Sequence, residues 1–151
     1  MQRIIVSDTS CLILLDKIGQ LGLLKSIFGK ITVTKEISEE FNKDLPDFIE
    51  VQYPKDKNYQ RILENSLDAG EASAIALALD YDDCLLIIDE TKGRREAKSL
   101  GLKVTGTIGI LIVAKEKGLI PSLKKVFDKI GKTNFRINKA LLVEALKKSG
   151  E

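Results

Sequence analysis

The apolar residues of this 151-residue chain form two kinds of segment. Short, continuously apolar and often β-branched runs predict buried strands at residues 3–7, 30–33, 49–52, 85–88 and 102–105. Longer segments, bounded by capping residues, glycine or proline, predict helices at residues 10–18, 23–28, 34–42, 56–67, 68–79, 91–100, 108–117, 121–130 and 138–148. Strands and helices therefore alternate along most of the chain.

This alternation predicts an α/β fold. Strands without a polar face are typical of a parallel sheet that is covered by helices on both sides. The chain has the length of one ordinary domain and shows no repeat, low-complexity tract or linker. We therefore expect a single domain, residues 1–151, in which residues 121–151 form a C-terminal helical appendage.

Composition narrows the chemistry. The chain has no histidine, which excludes serine–histidine and cysteine–histidine catalysis and makes a zinc site of the usual kind unfavourable. Cys11 and Cys84 lie in apolar stretches and are interpreted as buried thiols in a reducing compartment. Asp8 interrupts the apolar N-terminus, which argues against a signal peptide. No stretch approaches the roughly 20 apolar residues of a membrane span. These features together predict a cytoplasmic protein.

Charge is distributed unevenly along the chain. Residues 1–100 carry 13 basic and 18 acidic side chains, whereas residues 101–151 carry 11 basic and 4 acidic ones. A basic segment beside an acidic one suits a protein that binds phosphates while it gathers carboxylates elsewhere. A lysine-rich, solvated helical surface explains the same numbers without any function.

Acidic residues follow two of the predicted strands. Asp8 comes directly after the first strand, and Asp89 and Glu90 come directly after the strand at 85–88. Ligands of open parallel sheets bind beyond the carboxyl ends of the strands. If the two strands are neighbours, these three acids share one edge of the sheet. Taken singly, each acid is also typical of a helix N-terminus.

Further acids stand on two predicted helices. Glu71 lies in the first turn of an alanine-rich helix that packs closely, although Asp68 and Glu71 also have the spacing of a capping box. Glu36, Glu39 and Glu40 lie on the helix at 34–42, and the like charges at positions 36 and 40 share one face. Either this face is simply exposed, or one of its acids faces the site.

Such a cluster of carboxylates requires compensation. Two unit charges about 4 Å apart repel by about 4 kcal/mol at an effective dielectric constant near 20. A divalent cation removes this repulsion, and a set of oxygen donors favours Mg²⁺ or Mn²⁺ over softer metals. The sequence thus predicts a metal centre that could activate water for attack on phosphorus.

The same residues resemble the PIN-domain superfamily, in particular its small prokaryotic branch. Asp8-Thr9-Ser10 resembles the motif after the first strand, and residues 34–41 (TKEISEEF) resemble the acidic helix. Residues 70–78 (GEASAIALA) and 86–97 (LIIDETKGRREA) resemble two further segments, and the similarity continues through residues 104–109 to 135–138. Each motif is weak alone, but their order and spacing are specific.

The resemblance implies a sheet order of 3-2-1-4-5 and the function of a metal-dependent ribonuclease. It implies that the metal ligands, which are also the catalytic residues, are Asp8, Glu40, Glu71 and Asp89. Glu90 stands where relatives usually have a second aspartate, so the fourth ligand is Asp89 or Glu90. Gly93 replaces a usual alanine, a change that we expect to be minor.

Auxiliary roles and partners also come from the resemblance. Thr9 or Ser10 would orient a ligand or water. The basic residues expected beside the mouth of the site are Lys92, Arg94 and Arg95. The C-terminal lysines could follow an RNA backbone, and the few aromatic residues predict little sequence readout by base stacking. Many relatives are toxins, so an antitoxin partner and a homodimer are expected.

Three other classes of protein share parts of this pattern. A phosphoryl-accepting receiver domain needs an acidic pair near the first strand, and Asp8 has no adjacent acid. A haloacid-type phosphatase needs an acid at position 10, which is Ser10. A catalytically silent protein- or RNA-binding module remains open, because the acids could persist after activity is lost.

Overall fold

A computed structural model describes residues 3–151 of the chain. Its strands are β1 (Ile4–Ser7), β2 (Ile31–Val33), β3 (Ile49–Val51), β4 (Cys84–Ile87) and β5 (Lys103–Thr105). Its helices are α1 (Thr9–Lys17), α2 (Gly22–Phe28), α3 (Lys35–Phe41), α4 (Lys57–Leu63), α5 (Ala69–Ala78), α6 (Thr91–Ser99), α7 (Thr107–Glu116), α8 (Leu123–Gly131) and α9 (Lys139–Lys148).

The five strands form one parallel sheet in the order β3-β2-β1-β4-β5. This confirms the predicted α/β class and the strand order that the resemblance implied. β1 lies in the centre, where Val6 pairs with Thr32 of β2 on one side and with Leu86 of β4 on the other. The carboxyl ends of β1 and β4 consequently lie side by side.

Helices cover the sheet on its two faces. α5 packs on β1 and β4, with α3 and α4 against it, while α2 packs on β2 and against α7. α7 in turn contacts α8 and α9, so the predicted C-terminal appendage is joined to the domain through packed helices. The core contains both cysteines as free, buried thiols, as expected from the sequence.

Short polar residues begin most of the helices that frame the sheet edge. Asp8, Thr34, Asp68 and Glu90 each accept a backbone N–H bond and so start α1, α3, α5 and α6. The helix starts predicted at residues 10, 34, 68 and 91 lie within one residue of the observed starts. Within residues 3–151, no helix combines the length and apolarity that crossing a membrane requires.

Candidate metal centre

Asp8 and Asp89 lie at the adjacent ends of β1 and β4. Asp8 is only 4% exposed. Its Oδ1 accepts the Cys11 N–H at 2.9 Å, and its Oδ2 accepts the backbone N–H of Asp89, also at 2.9 Å. The second bond crosses from one strand end to the next. Asp8 therefore caps α1 and also lies beside Asp89.

Thr107 holds the side chain of Asp89. Its N–H donates to Oδ1 at 2.7 Å, and its hydroxyl donates to Oδ2 at 2.6 Å. Thr107 is the first residue of α7 and is 2% exposed. Thr107 was not among the site residues predicted from the sequence, although its position just after β5 places it at the same edge as Asp8 and Asp89. It fixes the orientation of the Asp89 carboxylate.

Among the three acids of α3, Glu40 is the one directed to this edge. Glu36 accepts a hydrogen bond from the side chain of Gln60 on α4, and Glu39 forms an exposed ion pair with Lys35 at 3.8 Å. The Glu40 carboxylate instead lies against the first turn of α5, at Gly70, and it interacts with the side chain of Thr9. This geometry favours Glu40, the residue that the resemblance indicated.

Three of the acids lie directly against a glycine. A Cβ atom on Gly70 would overlap Glu40 Oε1, one on Gly93 would lie 3.1 Å from Glu71 Oε2, and one on Gly106 would lie 2.8 Å from Asp89 Oδ1. The absence of a side chain at these positions leaves room for the carboxylates. Glycine at these positions thus helps to shape the site.

Gly93 lies beside two side chains of the site. An added Cβ would lie 2.6 Å from Ile88 Cδ1 as well as close to the carboxylate of Glu71. An alanine could be accommodated only if one of these side chains moved. Glycine at position 93 therefore affects where Glu71 can lie.

The carboxylates at this edge disfavour one another's charged forms. Burial, and then the charge of Asp89, raise the pKa of Asp8 to about 7. Burial, followed by the charges of Asp68 and Glu90, raises the pKa of Glu71 to about 7. The pKa of Glu40 is also raised, by burial and by the charges of Asp68 and Glu36, while the nearby Thr9 side chain acts to lower it.

Direct ion pairs with basic side chains do not form in this cluster. Within residues 3–151, the ion pairs lie elsewhere, and none includes any of the clustered acids Asp8, Glu36, Glu40, Asp68, Glu71, Asp89 and Glu90. Asp68 is a further member that sequence reasoning assigned only to capping. Its charge acts on Asp8, Glu40 and Glu71, as the shifts in their pKa values show.

The remaining predicted residues surround the cluster. Glu90 caps α6 by accepting the Gly93 N–H at 2.9 Å, while its charge still reaches Glu71. Arg94 is half-buried and donates to the Ile88 carbonyl at 3.0 Å, close to Gly106 and so to the Asp89 side chain. Ser10, Lys92 and Arg95 are exposed, whereas Thr9 is buried.

These residues suit a hard divalent ion by their chemistry. All donors are oxygens, the acids carry no basic partner, and glycines leave space around three of them. In the described part of the chain, no three acidic or cysteine side chains are grouped tightly enough to hold one ion as they stand. The acids therefore lie near one another without forming a ready-made set of metal ligands. Among the two acids that follow β4, Asp89 lies nearer to Asp8 than the helix-capping residue Glu90 does.

The fold and this edge define an α/β protein with a carboxylate cluster at the switch point of a parallel sheet. A family model described as a PIN domain matches residues 4–151. The chain belongs to the PIN-domain family, whose members are generally nucleases and typically use divalent metals. No curated protein and no solved structure gives a significant match.

Proposed function

We propose that this protein is a Mg²⁺- or Mn²⁺-dependent endoribonuclease that hydrolyses phosphodiester bonds in single-stranded or structured RNA. The observation that supports the proposal is the position of Asp8 and Asp89 at the adjacent ends of β1 and β4. Glu71 lies beside Gly93 and Glu40 beside Gly70, and within residues 3–151 none of the four acids forms an ion pair. Membership of a nuclease family supports the same conclusion.

Asp8, Glu40, Glu71 and Asp89 would hold the metal. The chemistry that a divalent ion would supply there is a lower pKa for bound water and compensation of the negative charge that develops on phosphorus. The backbone N–H groups of Cys11 and Asp89 orient the Asp8 carboxylate, and Thr107 orients that of Asp89. Two of the acids are thus held in place before any substrate arrives.

Arg94 is suited to contact the substrate phosphate. A guanidinium group carries five N–H donors, and one of those of Arg94 bonds the Ile88 carbonyl. The others can meet a phosphate oxygen next to Asp89. The exposed residues Lys92 and Arg95, on the same helix, would add salt-sensitive attraction. Exposed lysines of α8, such as Lys124 and Lys129, would extend this attraction along the RNA backbone.

The direct test is cleavage of single-stranded RNA by the purified protein in Mn²⁺. We expect Asp89→Asn to reduce cleavage at least about 100-fold, because changes outside the ligand shell already cost about 10–100-fold. Asparagine at 89 can keep both partners, since the hydroxyl of Thr107 can accept as well as donate. Asp8→Asn should abolish cleavage too, although its amide faces two N–H donors and can accept from only one.

Asp82→Asn is the matched control, because Asp82 is exposed and precedes β4, at the opposite edge of the sheet from Asp8 and Asp89. It should cleave RNA like the unaltered protein. Cleavage that persists unchanged in both Asp8→Asn and Asp89→Asn would contradict the proposed function. Absence of any cleavage, together with no rise in melting temperature in millimolar Mn²⁺, would favour the catalytically silent module.

A biological setting extends the proposal. The resemblance to the prokaryotic branch leads us to propose a toxin that pairs with an antitoxin protein and acts as a homodimer in the cytoplasm. These statements remain predictions from the resemblance. Purification from cells that express the neighbouring gene would test the pairing, and light scattering would test the dimer.

A further inference from the structure

A pair of buried hydroxyl groups joins the two helices that carry the glutamates of the proposed metal centre. Thr34 precedes α3, which carries Glu40, and Ser73 lies within α5, which carries Glu71. The side-chain oxygens of Thr34 and Ser73 are 2.7 Å apart, and both residues are 0% exposed. Because Thr34 and Ser73 are 39 positions apart in the chain, this hydrogen bond exists only in the packed fold.

The neighbouring hydrogen bonds determine which hydroxyl of this pair donates. The Ser73 hydroxyl gives its single proton to the Gly70 carbonyl at 2.8 Å, so it accepts from Thr34. The Thr34 oxygen in turn accepts the Ile37 N–H at 3.2 Å and thereby caps α3. Three hydrogen bonds therefore run in one direction, from the first turn of α3 to the first turn of α5, and each hydroxyl both donates and accepts.

The same two helices meet again near the other end of α3. Glu40 is the next-to-last residue of α3, and its carboxylate lies against Gly70, whose carbonyl ends the hydroxyl chain. Glu71 directly follows Gly70 in α5. The two ends of α3 thus both contact the first half of α5, and these contacts fix how α3 crosses the helix that carries Glu71.

Helix formation and capping do not explain the serine in this pair. Capping of α3 accounts for an oxygen at Thr34, but Ser73 lies inside a helix whose residues 72, 74, 76 and 78 are all alanine. Serine favours a helix less than alanine does. Stability does not require the pair either, because two buried hydrogen-bonded groups can be replaced together by apolar groups of the same shape at little cost. What the hydroxyls add is a fixed position of one helix on the other.

We propose that Thr34 and Ser73 are positioning residues of the metal centre, whose hydroxyl bond holds α3 on α5 so that Glu40 and Glu71 approach the same divalent ion. This inference rests on the proposed function. Neither hydroxyl touches the ion in this role, because each acts through the helix that it begins or belongs to. Loss of the bond would let the two helices shift and so would change the distance between the two carboxylates.

The test compares two serines that make the same local bond. Ser99 of α6 donates to the Glu96 carbonyl at 2.7 Å, also three residues earlier, but it is exposed, so Ser99→Ala is the matched control for Ser73→Ala. Mn²⁺ affinity of the full chain is measured by calorimetry without RNA. We expect Ser73→Ala, which leaves the Thr34 cap in place, to weaken Mn²⁺ binding about 10-fold, as loss of an outer contact at a metal site does. Ser99→Ala should bind as the unaltered protein does.

A second threonine separates positioning from stability. Thr133, just after α8, accepts the Phe135 N–H at 3.1 Å and donates to the Ile130 carbonyl at 2.6 Å. Thr133→Val and Thr34→Val each remove a hydroxyl that accepts one bond and donates another, so both should lower the melting temperature. Only Thr34→Val should weaken Mn²⁺ binding. Thr34→Ser, which can keep the cap and the bond to Ser73, should bind Mn²⁺ as the unaltered protein does.

The outcomes distinguish this inference from the proposed function. If the unaltered protein binds Mn²⁺ and Asp8→Asn does not, while Ser73→Ala binds as tightly as the unaltered protein, the proposed function stands and the positioning role is wrong. Should Ser73→Ala not fold, unchanged affinity in Thr34→Val overturns the role. Equal losses of affinity in Thr34→Val and Thr133→Val overturn it as well, because the loss then follows stability alone. If the unaltered protein binds no Mn²⁺, both proposals are wrong.

Discussion

Two carboxylates in different regions of the molecule each accept two backbone N–H bonds, yet their pKa values shift in opposite directions. Asp8 at the sheet edge accepts two backbone N–H bonds, both of 2.9 Å. Glu151 accepts the N–H groups of Leu123 at 2.7 Å and Lys124 at 3.3 Å at the start of α8. The pKa of Asp8 is raised to about 7, whereas that of Glu151 is lowered to about 2.

The difference lies in burial and in neighbouring charge. Asp8 is 4% exposed and faces the charges of Asp89 and Asp68. Glu151 lies at the surface, where its N–H bonds are joined by the Ser122 hydroxyl and by an ion pair with Lys115 at 3.3 Å. The C-terminal region stabilises the charged form of its carboxylate, and the sheet edge disfavours it. An uncompensated cluster is what a divalent cation would complete.

The largest expected effect is the difference in cleavage between a glutamate-to-glutamine substitution at the sheet edge and the same substitution in the C-terminal region. Glu71→Gln removes a proposed metal ligand, so cleavage of RNA in Mn²⁺ should fall at least about 100-fold. Glu151→Gln removes the ion pair with Lys115 and weakens the contact with the start of α8, and it should leave the cleavage rate unchanged. Single-turnover cleavage assays measure both. Equal cleavage rates in Glu71→Gln and Glu151→Gln would contradict the metal-binding role of Glu71.

A smaller effect is expected when a methyl group is added to a helical glycine in each region. Gly70→Ala places a Cβ where Glu40 Oε1 lies and should displace that carboxylate, reducing cleavage about 10-fold as a loss of ligand orientation does. Gly131→Ala in α8 meets no atom within 4 Å and should retain full activity. The measurement is kcat/KM together with the melting temperature. Full activity in Gly70→Ala would show that cleavage does not depend on the present position of the Glu40 carboxylate.

The smallest expected effect is the pH dependence of the metal-free protein. The folded-state pKa values of Asp8 and Glu71 are about 7, above their ordinary 3.8 and 4.5, so the folded state binds more protons between these limits. Stability from these groups is fully present below about pH 4 and is lost as the pH rises through 7. Glu151 acts oppositely, and its contribution is lost as the pH falls from 4.5 towards about 2.

Melting temperatures in EDTA should therefore be higher near pH 5 than near pH 8. A change of 1 kcal/mol corresponds to roughly 2–8 °C for domains of this size range. Saturating Mn²⁺ should raise the melting temperature more at pH 8 than at pH 5, because the acids are then ionised. A melting temperature in EDTA that does not change between pH 5 and pH 8 would show that repulsion among the carboxylates at the sheet edge does not lower stability.

The sequence by itself determined the elements and the edge at which the acids meet. Continuously apolar runs identified the five strands, and capping residues such as Thr34 and Asp68 identified helix starts. Because parallel strands end at one edge, the residues that follow β1 and β4 had to be neighbours once the strands paired. The resemblance supplied the strand order, which periodicity alone does not give.

Only the tertiary structure decided which side chains reach one another. The charge pattern of α3 does not distinguish Glu36, Glu39 and Glu40. In the structure, Glu36 accepts a hydrogen bond from Gln60 of α4, whereas Glu40 lies against Gly70. The bonds from Thr107 to Asp89 span 18 residues, and the charge of Asp68 acts on Asp8 across 60 residues of chain. Local patterns set backbone conformation, whereas these contacts and the burial that raises each pKa exist only after distant elements have packed.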